Sequence, residues 1–223
     1  MMQTVFANGL DIRPIAHRSP FRRYNLRRNP FGELTQQERA ELAVVDPTDW
    51  LDFLQNDLAV LQFIGHCGRG KTTHLLAILR AMPHAEYVYL PEDGPQPVIS
   101  QHRPLLIDES QRLSFLQLRR VFRVRGPLVL GTHRDHTRAL QRAGREVITV
   151  DVAAHQSPHR LATILNRRLE ASRVSEGEVP HVSLQHAMKL CDQFGTDIRA
   201  MEHFLYDQFQ ACVNEQTPWP PAP

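Results

Sequence analysis

The sequence predicts an α/β domain built on a parallel sheet with helices on both faces, followed by an all-helical segment. Three observations lead there. From Ala59 to Val152, short apolar stretches alternate with segments of helical period, as expected of strands buried on both faces. The first apolar stretch runs through a glycine-rich loop into a helix, a connection at home in such sheets. Beyond residue 155 strand signals stop and helix caps take over.

The chain has 223 residues and a mass of 25.6 kDa, enough for one α/β core with a small appended unit. With 42% hydrophobic and 22% charged residues it belongs with globular proteins. No apolar stretch reaches the roughly 20 residues of a membrane span. The opening residues lack a long apolar run after a basic start, so no signal peptide is expected. Cys67, Cys191 and Cys212 are odd in number and far apart, which argues for a reducing, cytoplasmic setting rather than a disulfide framework. Net charge is only +2, but lysine occurs only at Lys71 and Lys189. The basic charge is otherwise arginine.

Residues 11–28 carry arginine at 13, 18, 22, 23, 27 and 28 against a single acid. Two prolines and no clear period suggest an extended arm over 1–28, either a solvated tail or a contact for nucleic acid, an acidic partner or a neighbouring subunit. Thr35 with Glu38 makes a capping box, and Asp46-Pro47 opens a second short helix that puts Trp50, Phe53 and Leu54 on one face. Strands are expected over 59–65, 86–90, 104–108, 127–132 and 146–152, and helices over 71–82, 113–123 and 136–143. Ser157-Pro158, Ser183 and Thr196-Asp197 then start three helices that end near 173, 195 and 213. The division is therefore an arm (1–28), a core (29–155), a helical unit (156–213) and an unstructured proline-rich tail (214–223).

Residues 65–72 carry the chemistry. Gly65-His66-Cys67-Gly68-Arg69-Gly70-Lys71-Thr72 fits G-x-x-x-x-G-K-[ST] and lies between a predicted strand and a predicted helix. Its glycines let backbone N–H groups turn inward around phosphate oxygens. Lys71 supplies charge to the β- and γ-phosphates, Thr72 offers a hydroxyl to Mg²⁺, and the helix N-terminus adds to anion binding. The nucleotide-binding set runs from Gly65 through Thr73 and includes Asp108. Leu105-Leu106-Ile107-Asp108-Glu109 delivers an acid pair at a strand end, the form of a Walker B. Asp108 would hold Mg²⁺ together with Thr72, and Glu109 would polarise the attacking water. Taken alone, the pair would read as solvated acids; a phosphate-binding loop upstream changes the balance.

Two further positions are open to a plainer reading. Thr132 ends the strand beside Asp108 and would orient the water or touch the γ-phosphate, unless it is an ordinary strand-end threonine. Arg199 lies in the first turn of the last helix, unfavourable for a cation by dipole logic. A helical lid folded over the nucleotide would bring it to the phosphates; otherwise it is a surface arginine. Helix 113–123 with its exit carries Arg112, Arg119, Arg120, Arg123 and Arg125, either a solvated basic face or a stripe for a phosphate backbone. His155 and His159 lack the acid that would complete a zinc site.

With these residues in place, the chain from 29 to about 213 resembles the AAA+ ATPases. The resemblance rests on the Walker A loop, the Asp108-Glu109 pair, Thr132 as a sensor 1 residue, and Gly195-Thr-Asp-Ile-Arg199 as a sensor 2 segment. Asn29-Pro30-Phe31 looks like the lead-in of the initiator, transposition-regulator and secretion-ATPase branches, where the segment before the loop wraps the adenine. The resemblance implies a sheet ordered 5-1-4-3-2 with a helical lid, ATP and Mg²⁺ as ligands, and self-association. It also implies an arginine finger acting across subunits, with Arg138, Arg142 and Arg145 as candidates. One departure stands out. Where the family has a full helix between strands two and three, residues 91–103 hold three prolines, leaving room for a turn or two and counting against polypeptide threading.

The function expected is an ATP-hydrolysing switch acting on a protein or DNA partner. The alternatives are a nucleotide-gated adaptor with little hydrolysis of its own and, further off, a small-molecule kinase or GTPase. Thr132-His-Arg-Asp135 faintly resembles a guanine-reading T-K-x-D but lacks the lysine.

Overall fold

The computed structural model describes residues 19–154 and 156–219. Its centre is a five-stranded, all-parallel sheet: β1 (Ala59–Ile64), β2 (Glu86–Tyr89), β3 (Leu105–Asp108), β4 (Leu128–Thr132) and β5 (Glu146–Asp151). The order is β2-β3-β4-β1-β5, so β1 sits between β4 and β5. Read from the other edge this is the 5-1-4-3-2 order of the α/β P-loop NTPase fold. Register brings Ile64 opposite both Thr132 and Asp151, and Tyr89 opposite Asp108. The C-terminal strand ends thus form one rim, where open α/β sheets bind ligands.

Strand alternation sorts the core into two layers. Ala59, Leu61 and Phe63 join Leu106, Val129 and Val150 on one face, against Leu75 and Ile78 of α3 (Lys71–Ala81) and Met82 at its C-terminal cap. Val60 joins Leu105, Ile107, Leu128 and Leu130 on the other, against Val121 and Phe122 of α4 (Phe115–Arg123) and Leu140 of α5 (Thr137–Arg142). Two shorter helices precede the sheet, α1 (Gln36–Glu41) and α2 (Thr48–Leu51). The reciprocal Thr35–Glu38 capping box opens α1, and Asp46 accepts from the Thr48 N–H at 3.0 Å ahead of α2. Between β2 and β3 the chain forms neither helix nor strand.

One polar side chain interrupts the apolar centre. Gln62, fully buried in β1, donates to Asp135, Thr137 and Thr149 at 2.7–3.0 Å and accepts from the His136 N–H at 3.1 Å. A buried amide costs little when satisfied; here it pins the loop leaving β4.

A third apolar cluster belongs to α6 (Pro158–Ala171), α7 (Leu184–Phe194) and α8 (Ile198–Glu215). Leu161, Leu165, Leu190, Met201 and Phe209 form its centre. Two expectations are corrected by what joins it. Residues 19–28 are not an extended arm: Pro20–Tyr24 is a 3-10 turn, Leu26 is fully buried and pairs with Arg173, and Arg27 donates to the Ala171 carbonyl at 2.5 Å. Arg28 is spent on Glu38. The cause is apolar: Phe21, Tyr24 and Leu26 find the helical cluster and outweigh the solvation of the intervening arginines. Residues 1–18, with Arg13 and Arg18, lie outside the described residues.

The second correction concerns the tail. Helix α8 runs to Glu215, and Trp219 is only 8% exposed, its ring 5.4 Å from Phe31 and 5.3 Å from Phe209. An indole buries enough apolar area to hold a proline-rich stretch in place. Residues 220–223 lie outside the described residues.

Candidate functional site

The glycine-rich loop leaves β1 at the middle of the rim. Gly68 and Gly70 take φ of +78° and +99°, the left-handed region that side chains disfavour. These turns bring Lys71 back over the loop. Its ammonium, 4% exposed as a residue, donates to the carbonyls of Gly65 at 2.9 Å and His66 at 3.1 Å.

Asp108 ends β3 fully buried. Its Oδ2 accepts from the Thr72 hydroxyl at 2.6 Å and from Tyr87 at 3.1 Å, while Oδ1 accepts the Glu109 N–H at 3.0 Å. Burial, then the Asp108 charge, pushes the Tyr87 hydroxyl well above its ordinary range, so it stays a donor. A hydroxyl and a carboxylate side by side are hard oxygen donors, and this pair fits Mg²⁺. Gly131 on β4 leaves the room Asp108 needs, for a Cβ there would stand 2.6 Å from Oδ1.

Glu109 adopts φ +61°, a conformation costly for a non-glycine residue and common at functional sites. It turns the carboxylate into a polar ring. Oε1 lies 3.6 Å from Lys71 Nζ, and Oε2 lies 3.6 Å from His133 Nε2 and 3.8 Å from Arg112. Gln111 donates to Oε2 at 2.5 Å and accepts from the His133 N–H at 3.2 Å. Burial, then the Lys71 charge, holds His133 below the usual imidazole range.

The expected residues divide by position. Lys71, Thr72, Asp108 and Glu109 meet at the rim. His66, Cys67, Arg69 and Thr73 follow the loop into α3, and Gly68 and Arg199 face each other. A Cβ on Gly68 would lie 3.1 Å from the Cβ of Arg199 and against the Asp197 carboxylate. Asp197 caps α8, accepting from the Ala200 N–H at 3.1 Å.

Thr132 is different. It is fully buried, accepts from the Arg134 N–H at 3.0 Å and donates to the Arg134 carbonyl at 3.1 Å. Its hydroxyl closes the turn after β4 and does not line the cleft. The polar side chain from this loop that approaches Glu109 is His133. Asp135, the acid of the faint T-K-x-D, is spent on Thr137 at 2.5–2.7 Å and on Gln62.

Among the finger candidates, Arg138 and Arg142 are exposed on α5. Arg145 is 4% exposed and donates to the carbonyls of Leu58 at 3.1 Å, Ala59 at 3.0 Å and Val124 at 2.5 Å, and to Gly126. It braces the N-terminal ends of the strands and cannot reach another subunit.

A cleft of about 450 Å³ lies between the loop and helices α6 and α8, within the size range of small-molecule sites. Lys71, Thr72 and Glu109 line its floor. Residues 31–34 and 42–45, with Arg39, form one wall; Arg160, Ile164, Ile198, Arg199 and His203 form the roof. Sequence reasoning missed Gln111, His133, Tyr87 and Arg160.

The fold and this rim define an α/β P-loop NTPase-type domain. No protein family model matches the chain, and no curated protein matches it. Among solved structures it is similar to the Thermotoga maritima RuvB Holliday junction branch migration motor, at 17% identity with a TM-score of 0.48. The alignment covers 83% of this chain and 64% of that one, so the chain spans less than two thirds of that motor's length. No functional statement rests on this likeness. Among the described residues no helix is long and apolar enough to cross a membrane.

Proposed function

We propose that this domain binds ATP with Mg²⁺ and hydrolyses it as an AAA+-type switch. One observation carries the reading: Lys71 and Thr72 after the glycine-rich loop, Glu109 at the end of β3 and Arg199 on α8 border one cleft, with Asp108 buried behind Thr72 and accepting from its hydroxyl. In this reading the loop N–H groups and Lys71 hold the β- and γ-phosphates. Thr72 and Asp108 hold Mg²⁺, which when bound neutralises charge on the phosphate oxygens. Glu109 accepts a proton from the attacking water as the new P–O bond forms and the bond to the leaving diphosphate breaks. Arg199 compensates charge on the phosphates from the lid side. Residues 31–45 and the lid enclose the nucleoside.

A second reading, an adaptor that binds ATP but turns it over slowly alone, is favoured by the surroundings of Glu109. Lys71, Gln111, His133 and Arg112 all draw on its carboxylate, and Thr132 faces away. The test is steady-state ATP and GTP turnover by the purified protein with Mg²⁺, against Glu109→Gln and Lys71→Ala. Turnover of ATP that Glu109→Gln abolishes while ATP binding persists supports the ATPase. ATP binding without turnover above that variant leaves the adaptor. Loss of neither binding nor turnover in Lys71→Ala, or a preference for GTP, overturns both.

A further inference from the structure

Helix α4 presents a surface that the nucleotide chemistry does not use. Between residues 110 and 134 the chain has arginine at 112, 119, 120, 123, 125 and 134 and no aspartate or glutamate. Helical geometry places Phe115, Leu116, Arg119, Arg120 and Arg123 within an arc of about 140°. That arc faces solvent, while Val121 and Phe122 hold the helix to the sheet. Phe115 is 75% exposed and Leu116 74%. Among the described residues Arg119, Arg120 and Arg123 form no ion pair or side-chain hydrogen bond, in contrast to Arg27 and Arg28 near the N-terminus.

Beside this face runs a shallow groove between α4 and residues 96–103, bordered by Val98, Ile99, Arg103, Gln117 and Arg120. Arg103 reaches across it, donating to the Val121 carbonyl at 3.3 Å. Its Nε is buried without a hydrogen-bond partner. Arg103 and Arg120 together give the groove two positive charges, which favours an anionic ligand.

We infer that the α4 face and this groove bind the sugar–phosphate backbone of a nucleic acid. Charge chooses the occupant. Interfaces with nucleic acids are far more positively charged than those between proteins. An acid-free arginine row spaced along one helix suits a line of phosphates. Phe115 at the helix start offers a ring face for an unstacked base, which favours a single strand over a duplex. The site is separate from the nucleotide cleft, but Arg112 just ahead of α4 reaches back toward Glu109. It leads into α4, donates to the Leu90 carbonyl at 2.6 Å and lies 3.8 Å from Glu109.

The test is fluorescence anisotropy with labelled single-stranded and duplex oligonucleotides of mixed sequence, over a salt series, on the full chain. The variants are Arg119→Gln/Arg120→Gln/Arg123→Gln together, the same three positions changed to Lys, and Phe115→Ala. Binding of a fluorescent ATP analogue and the melting temperature serve as controls for folding. The glutamine triple should bind at least about tenfold more weakly near 100 mM salt and lower the salt slope by about 2. The lysine triple should stay near wild type, and Phe115→Ala should weaken the single strand about fivefold and the duplex less. Wild-type protein that binds neither oligonucleotide, or a glutamine triple that binds like wild type, overturns the inference. Displacement of the oligonucleotide by polyglutamate as readily as by unlabelled DNA assigns the surface to an acidic polypeptide instead. Failure of ATP turnover leaves this readout unaffected.

Discussion

Replacing Arg145 with methionine should destabilise the fold strongly without a specific effect on nucleotide chemistry. The side chain satisfies four backbone carbonyls, at Leu58, Ala59, Val124 and Gly126. Leu58 keeps the Glu146 N–H at 3.0 Å after the change, so its loss counts least. The bonds to Ala59 and Gly126 are fully buried and count most. At about 1.5–3 kcal/mol for each buried bond to a charged donor, these two come to about 3–6 kcal/mol. For a chain of this length that lowers the melting temperature by about 6–24 °C. Arg145→Lys should lose most of the same energy, because one ammonium cannot serve carbonyls on separate segments. Burial, reinforced by repulsion from Arg103 and Arg125, pulls the Arg145 pKa down to about 10, so the group is still charged at neutral pH. The assay is thermal unfolding followed by circular dichroism, paired with ATP turnover well below the new midpoint. A normal melting temperature with lost turnover would refute the bracing role and return Arg145 to the arginine-finger candidates.

Arg138→Ala and Arg142→Ala should each stay within about 0.5 kcal/mol of wild-type stability, as exposed substitutions do; a loss of turnover in one of them, rescued by mixing with Glu109→Gln subunits, would identify a finger acting across subunits. Gly68→Ala should weaken ATP analogue binding about tenfold or more, since the left-handed φ costs about 1–2 kcal/mol and the new methyl meets Asp197 and Arg199; fluorescence titration checks it. Trp219→Ala should cost about 3 kcal/mol by emptying the space between Phe31 and Phe209, read as a lower urea midpoint. Burial holds His136 below the usual imidazole range, with Arg134 adding to it against Asp135. As pH falls below about 6.5 the unfolded ring gains a proton that the folded ring resists. Stability therefore drops through that window, and His136→Gln should flatten the fall between pH 7.5 and 5.5.

The sheet was legible because its central strands are buried: β3 and β4 along their whole length, and β1 as an apolar run broken only by Gln62. Their order was not in any local pattern, since pairing joins segments far apart in the chain, as Ala59 of β1 opposite Glu146 of β5 shows. It came only with the family resemblance. The meeting of Lys71, Thr72, Asp108 and Glu109 could be read from spacing because a strand end and the loop after β1 are forced onto one rim. Side-chain direction could not. Thr132 ends its strand as expected, yet its hydroxyl is satisfied by the Arg134 backbone two residues on, a local competition that composition does not reveal. The basic stretch at 11–28 read as an extended arm and the proline-rich 214–223 as an unstructured tail. In each case a few aromatic or aliphatic side chains, namely Phe21, Tyr24, Leu26 and Trp219, found a distant apolar cluster.

The buried Arg168 sews two distant parts of the chain together. It donates to the carbonyls of Pro30 and Gly32 and pairs with Glu202, while Asn29 donates to the Tyr206 carbonyl at 3.0 Å. Residues 29–32, ahead of the sheet in sequence, are therefore fastened to α6 and α8. Phe31 and Gly32 line the cleft beside Arg168 and Glu202, so a ligand there would meet, on its helical side, a surface woven from both ends of the chain.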